Sequence, residues 1–185
     1  MLVLFGIALV TGGLFAWRQL RARFPLFDLR IAKVPSFWSA FLGGLTAFGA
    51  LTGALFIGQE FTQDVLRMSP FEAVLLVAPM AVGLLGMVPV TNRLMNTAGT
   101  RITLSLGLLV ATLGFVLVVF TWKPGASIGW VLGAYLLLGI GIGLASAPAS
   151  RGLTASVPIA KVGMGSASAD LTKDMGGAIY QALLG

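Results

Sequence analysis

Cysteine and histidine are both absent from this chain of 185 residues. Their absence excludes disulfides, thiolate nucleophiles, imidazole bases and the usual protein ligands of zinc and haem. The sequence therefore predicts no catalytic residues, no metal site and no cofactor, and it argues against an enzyme. A membrane-embedded enzyme that relies on acidic residues is the weakest of the functional hypotheses developed below.

Charge is also scarce, because Asp, Glu, Lys and Arg together make up only 10% of the residues while 57% are hydrophobic. With a mean hydropathy of +0.98, the chain cannot hide its apolar surface in a soluble core, which indicates a membrane protein. Five uncharged runs support this interpretation: residues 1–17, 34–59, 73–92, 102–122 and 124–150. Four of them reach the roughly 20 residues that a spanning helix needs, and the first is marginal.

We predict an all-α fold, a polytopic membrane bundle of about six transmembrane helices in a single region over residues 1–185. The helices are expected at about residues 2–17, 36–57, 70–90, 102–121, 127–147 and 163–185. The first is interpreted as a short or truncated helix rather than a signal peptide, because no positive charge precedes it. The last helix also looks cut.

Basic residues predict the orientation of this bundle. The loops at about 18–35, 91–101 and 148–162 carry five, two and two Lys or Arg residues, whereas the intervening turns carry only Arg67 and Lys123. By the positive-inside rule, all three loops are expected to be cytoplasmic, in a multi-pass protein of the cell (plasma or inner) membrane. This topology accounts for the pI of about 10.6, so no nucleic-acid partner is expected.

Glycine spacing predicts a close helix crossing in the fifth predicted helix. Gly139 and Gly143 are four residues apart and lie on one helical face, and Pro148 can open backbone carbonyls at the end of that helix. The same stretch superficially resembles a glycine-rich nucleotide loop, but it lacks the third glycine and follows no soluble strand. We therefore interpret Gly139, Gly143 and Pro148 as helix-packing residues.

The last predicted helix carries three charges among small, apolar residues: Asp170, Lys173 and Asp174. At 3.6 residues per turn, these side chains share one helical face. Ionisable groups inside a bilayer are costly and normally face a bundle interior or a watery cavity. One hypothesis is a proton or substrate pathway, in which Asp170 exchanges protons and Lys173 tunes the pair. The residues leave open the alternative of a salt bridge within reach of interfacial water.

Five stretches, in order along the chain, resemble the C-terminal part of the major facilitator superfamily, especially its fourteen-helix drug:proton antiporters: residues 24–30, 68–73, 92–101, 147–149 and 163–178. The third stretch, NRLMNTAGTR, is similar to the family's cytoplasmic loop Gly-Arg-Leu-Ala-Asp-Arg-x-Gly-x-Arg. Arg93, Gly99 and Arg101 match that loop, whereas Asn96 replaces its Asp and removes the carboxylate of a conformational salt bridge. The resemblance implies that these four residues form a conformational loop.

This resemblance implies a partial major facilitator fold, equivalent to helices eight through thirteen of fourteen. Such transporters bind substrate near the membrane midplane between two six-helix halves. The expected function is therefore the C-terminal part of a multidrug-type transporter that exports small amphipathic compounds by proton antiport, inactive as this fragment alone. Its expected partners are the lipid bilayer, the substrate and protons, and the missing N-terminal half or another membrane protein. The alternative hypothesis is a stand-alone small membrane protein that acts as an interaction or regulatory subunit.

Overall fold

The computed structural model describes residues 35–155 and 162–184, together with residues 6, 10–14, 17, 18 and 21. The two long ranges contain five α-helices: α1 (Pro35–Glu60), α2 (Pro70–Thr97), α3 (Thr100–Thr121), α4 (Ile128–Ala155) and α5 (Val162–Leu184). A π-helical segment, Phe61–Val65, continues α1. This architecture confirms the predicted all-α membrane bundle. Most of the predicted helix 2–17 and of the predicted loop 18–35 lies outside the described residues.

Two helices continue well past the apolar runs that predict them. The apolar run in α2 predicts that this helix ends near residue 90, but the helix reaches Thr97. Likewise, α4 is predicted to end near residue 147 but reaches Ala155. The loop predicted at 91–101 is thus reduced to residues 98 and 99, and residues 148–155 of the loop predicted at 148–162 are helical. Hydropathy marks the part of a helix that suits an apolar medium, whereas backbone hydrogen bonding continues through polar residues.

Four helical segments are long and apolar enough to cross a membrane: Pro35–Val65, Pro70–Thr97, Thr100–Thr121 and Ile128–Ala155. Large apolar side chains cover their outer surfaces, and Val74, Leu85 and Val119 are each more than half exposed. A soluble protein would bury such side chains, so this exposure suits contact with lipid. α5 is not among the four segments, because Asp170 and two further charged residues lie in its central turns.

α4 is the central helix of the bundle. It packs against each of the other four α-helices, and its side chains Tyr135, Leu138 and Ile142 are fully buried. Small residues permit close crossings, since a Cβ on Gly107 of α3 would lie 2.5 Å from the backbone nitrogen of Ala145. Lipid gives apolar helices no hydrophobic reason to associate, so close van der Waals contact between backbones stabilises this bundle.

The start of α2 is stabilised by a capping box. The Ser69 backbone N–H donates to Glu72 Oε2 at 2.8 Å, and the Glu72 backbone N–H donates to Ser69 Oγ at 3.4 Å. Pro70 follows at the first helical position, where its missing N–H would have no partner within the helix. Together these local contacts define where α2 begins.

An aromatic cluster lies at the end of the bundle where α3 stops. The ring of Trp122 stacks on Phe61 at a centroid distance of 4.9 Å and contacts the ring of Tyr135 at 5.1 Å. The Tyr135 hydroxyl is buried against Gly58 and finds no hydrogen-bond partner among the described residues. An unsatisfied buried hydroxyl costs about 1–3 kcal/mol. The rings of the cluster are therefore tightly packed, but a buried hydroxyl within it lacks a hydrogen bond.

The variant Tyr135→Phe is expected to be at least as stable as the parent chain, by up to about 1–2 kcal/mol, because it removes this unsatisfied hydroxyl and keeps the ring. Thermal unfolding of the purified chain in detergent measures the change. Tyr180→Phe, the same substitution at a half-buried ring on α5, is the matched control and should change stability little. A clear loss of stability in Tyr135→Phe alone would mean that the hydroxyl has a partner.

Candidate functional site

α5 has two chemically different faces. The face toward α1 and α4 consists mainly of small side chains, and six of its residues are buried: Met164, Gly165, Ser168, Ala169, Thr172 and Gly176. The buried hydroxyls of Ser168 and Thr172 donate to backbone carbonyls one turn earlier, at 2.8 and 2.6 Å. A Cβ on Gly176 would lie 2.6 Å from the Leu45 carbonyl oxygen of α1. This close contact sets the rotation of α5 and thereby the residues that point outward.

Asp170, Lys173 and Asp174 lie on the opposite face, and all three are exposed. Lys173 Nζ donates to Asp170 Oδ1 at 3.0 Å, and it also lies 5.5 Å from the ring centre of Phe48 on α1. The Asp170 side chain is 70% exposed and that of Lys173 is 45% exposed. Asp174 follows Asp170 by one turn and forms no ion pair with any described residue. We call these three residues the charged face of α5.

The charged face is unsuited to lipid. A charged side chain at the centre of a membrane helix costs about 2.5–3.5 kcal/mol on insertion scales. The ion pair and the Phe48 ring offset part of this cost for Lys173, whereas Asp174 has no such compensation among the described residues. On a helix placed within a bilayer, this face would require a polar neighbour, either another part of a larger protein or a water-filled cavity. Carboxylates at such cavities are typical proton carriers in membrane proteins.

The four residues of the predicted conformational loop gather around the tight connection from α2 to α3. Arg93 and Asn96 belong to the last turns of α2, and Arg101 belongs to the first turn of α3. Gly99 precedes α3 with φ of 88°, a backbone conformation that favours glycine over other residues. Arg101 also lines a crevice together with Pro148 of α4. The connection is thus short, and both of its arginines are exposed.

The three predicted packing residues lie inside α4, and all are buried. A Cβ on Gly139 would overlap the Met80 carbonyl of α2, and a Cβ on Gly143 would lie 2.8 Å from the Leu84 carbonyl oxygen. α4 continues for a further seven residues after Pro148 and ends at Ala155, so this proline is not at the helix end. The backbone contact between α2 and α4 therefore runs through the two glycines.

A groove of about 530 Å³ between α1 and α2 is a site that the sequence predictions do not include. Its walls are mostly apolar, including Leu55 and Val77, and two side-chain amides, Gln59 and Gln63, enter it from the α1 side. The four-residue spacing of these glutamines places them on one helical face, which is the sequence signal that could have revealed the groove. An apolar groove with a few polar groups suits an amphipathic small molecule.

No group of three or more Asp, Glu, His or Cys residues that could hold a metal ion occurs among the residues that the structure describes. The charged face of α5 holds two carboxylates, and its lysine pairs with one of them. The interaction that the structure shows at this face is therefore the ion pair between Lys173 and Asp170.

Comparison with known proteins gives consistent matches along the chain. A family model described as "Major Facilitator Superfamily" matches residues 2–180. The multidrug efflux pump LfrA of Mycolicibacterium smegmatis is 28% identical over 98% of this chain and 36% of its own length. The multidrug resistance protein Stp of Mycobacterium tuberculosis is 27% identical, and the quinolone resistance protein NorB of Staphylococcus aureus 28%, each over 100% of this chain. The chain spans only 34% of Stp and 40% of NorB.

Proposed function

Because the chain belongs to the Major Facilitator Superfamily, we propose that it is the C-terminal part of an exporter that moves small amphipathic compounds out of the cell by proton antiport. It is a multi-pass membrane protein of a transporter family rather than an enzyme. The observation that carries the proposal is the charged face of α5, because two carboxylates and a lysine on an exposed helix face need a polar, hydrated neighbour.

In the proposed mechanism, the charged face exchanges protons. Asp170, with Asp174 nearby, binds and releases a proton toward a central cavity, and Lys173 tunes Asp170 through their 3.0 Å ion pair. Protonation of Asp170 would break this ion pair and free Lys173 to change its contact with the Phe48 ring of α1. Loss of the ion pair thus gives a physical link between proton binding and the contact between α1 and α5.

The groove with Gln59 and Gln63 is the proposed contribution of this chain to the substrate wall. Transporters of this architecture bind substrate between two six-helix halves and alternate access by rocking one half against the other. The α2–α3 connection, with Arg93 and Arg101, would then act at the cytoplasmic surface. Arg101 shares a crevice with Ser36 at the start of α1 and Gly152 near the end of α4, so these residues lie at the same end of the bundle.

The chain alone is proposed to be inactive, because one half cannot enclose a central cavity. Its relatives are far longer, and it covers no more than 40% of the length of LfrA, Stp or NorB. The charged face would then meet the other half of the complete transporter. A stand-alone regulatory subunit is not favoured, since the family match extends over residues 2–180.

Vesicle transport measurements test this function. Inverted vesicles that contain the complete transporter are expected to take up a fluorescent amphipathic cation when a proton gradient is imposed, and nigericin should abolish the uptake. Vesicles that contain only the 185-residue chain should show no gradient-dependent uptake. Uptake that survives collapse of the gradient would contradict proton antiport, and uptake by the short chain would contradict the proposed inactivity.

A further inference from the structure

A crevice of about 570 Å³ opens between the ends of α2 and α4, apart from the charged face of α5. Three residues of α2 and three of α4 supply most of its lining: Asn92, Met95, Asn96, Ser150, Arg151 and Thr154. All the polar groups among them are uncharged except the guanidinium of Arg151. The crevice therefore combines one positive charge and several uncharged polar groups with apolar surface, at one end of the bundle.

The crevice begins where the close contact between α2 and α4 ends. Gly139 and Gly143 bring the two backbones together, and the Thr91 hydroxyl donates to the Gly143 carbonyl at 3.3 Å. Farther along, the facing positions hold larger side chains such as Met95 and Arg151. Side chains larger than glycine face each other there, and the crevice lies between them.

The positive charge at this end of the bundle has no described counter-charge. Arg151 is exposed and forms no ion pair with any described residue. Arg93 and Arg101 lie at the same end of the bundle, at the α2–α3 connection. The described acidic residues belong to the opposite end of the bundle or to the charged face of α5: Glu60, Asp64, Glu72, Asp170 and Asp174. The arginines at this end would therefore attract an anionic ligand, and no described carboxylate there would repel it.

The groups in the crevice match a phosphate group. The Arg151 guanidinium presents a planar fork of N–H donors, which suits the oxygens of a phosphate in bidentate geometry. The side-chain amides of Asn92 and Asn96 each offer two further N–H donors, and the Ser150 hydroxyl offers another. No described lining residue is anionic, so the same site is unsuited to a metal cation.

We propose that this crevice binds a phosphate group, carried by an anionic glycerophospholipid of the cytoplasmic leaflet. Basic pockets between transmembrane helices on the cytoplasmic side suit acidic lipid headgroups. The predicted orientation brings Arg93, Arg101 and Arg151 to that side of the membrane. A lipid held there would bridge the ends of α2 and α4. This inference needs the orientation of the bundle but does not depend on transport or on the charged face of α5.

Native mass spectrometry of the purified chain in detergent tests this site with short-chain phosphatidylglycerol and phosphatidylcholine as probes. Phosphatidylglycerol is expected to bind more tightly, and Arg151→Gln should weaken its binding about tenfold. Asn96→Asp should also weaken it, because the new carboxylate repels phosphate while Arg151 remains. Lys123→Gln removes the same charge from the exposed turn between α3 and α4 and should leave binding within about twofold of the parent.

Equal binding of the two lipids, or equal losses in Arg151→Gln and Lys123→Gln, would overturn the proposal. Inorganic phosphate as a competitor distinguishes the source of the phosphate group. Phosphatidylglycerol that stays bound in equimolar phosphate supports the lipid, whereas its displacement by equimolar phosphate would overturn the lipid assignment in favour of a soluble anion. Unchanged thermal stability of Asn96→Asp shows that any loss of binding reflects charge in the crevice rather than unfolding.

Discussion

Replacement of Asp170 by Asn in the complete transporter is expected to abolish proton-driven efflux and to leave substrate binding within a few-fold of the parent. Asparagine keeps the shape of the side chain, and its carbonyl oxygen can still accept from Lys173 Nζ, which donates to Asp170 at 3.0 Å. The amide cannot bind and release a proton, however, so the gradient can no longer drive transport. Gradient-driven uptake into vesicles and equilibrium binding of a fluorescent substrate measure the two effects separately.

Two control variants separate a proton role from a structural salt bridge. Asp64→Asn makes the same change at an exposed carboxylate of the π-helical segment that continues α1 and should leave efflux intact. Asp170→Glu keeps a titratable carboxylate and should retain part of the efflux. Undiminished efflux in Asp170→Asn at full expression would rule out the proton role and leave only the ion pair with Lys173.

Gly139→Ala is expected to destabilise the chain by about 1–3 kcal/mol, the range typical of overpacked sites. The added Cβ would overlap the backbone carbonyl of Met80 on α2. Backbone atoms cannot rotate away as the end of a side chain can, so α2 and α4 must move apart. The shift of the thermal unfolding midpoint of the purified chain in detergent measures this cost.

Gly133→Ala is the matched control, because it makes the same change in the same helix at a glycine whose Cβ would meet nothing within 4 Å. It should be neutral or stabilise the chain by up to about 1 kcal/mol, since alanine has the higher helix propensity. Equal effects of the two substitutions would show that α2 and α4 do not cross as closely at Gly139 as the structure indicates.

Two pairs of glycines in α4 show how much sequence spacing alone can predict. Gly139 and Gly143 are four residues apart, and so are Gly129 and Gly133 in the same helix. Only the first pair lies against the backbone of α2, whereas Gly133 faces open space and the nearest atom to a Cβ on Gly129 would be 3.8 Å away. Sequence spacing identifies residues that share a helical face, but it does not identify what that face contacts.

The charged face of α5 likewise has one feature that sequence spacing predicts and another that depends on packing. The three-residue spacing of Asp170 and Lys173 predicts that they can pair, because this contact is local to one helix. The approach of Lys173 to Phe48 joins residues that are far apart in the sequence, and no local pattern predicts it. The groove that holds Gln59 and Gln63 likewise depends on the distance between α1 and α2.

The sequence by itself determined that this is an all-α membrane bundle, that its family is the Major Facilitator Superfamily, and that three charges share one face of the last helix. Composition, helical periodicity and family motifs are properties of the chain read in order, so they need no knowledge of packing. Only the tertiary structure decided which glycines form crossings, how far α2 and α4 extend, and where the crevice around Arg151 opens. These features depend on contacts between distant segments, whose geometry follows from the packing of whole helices against one another.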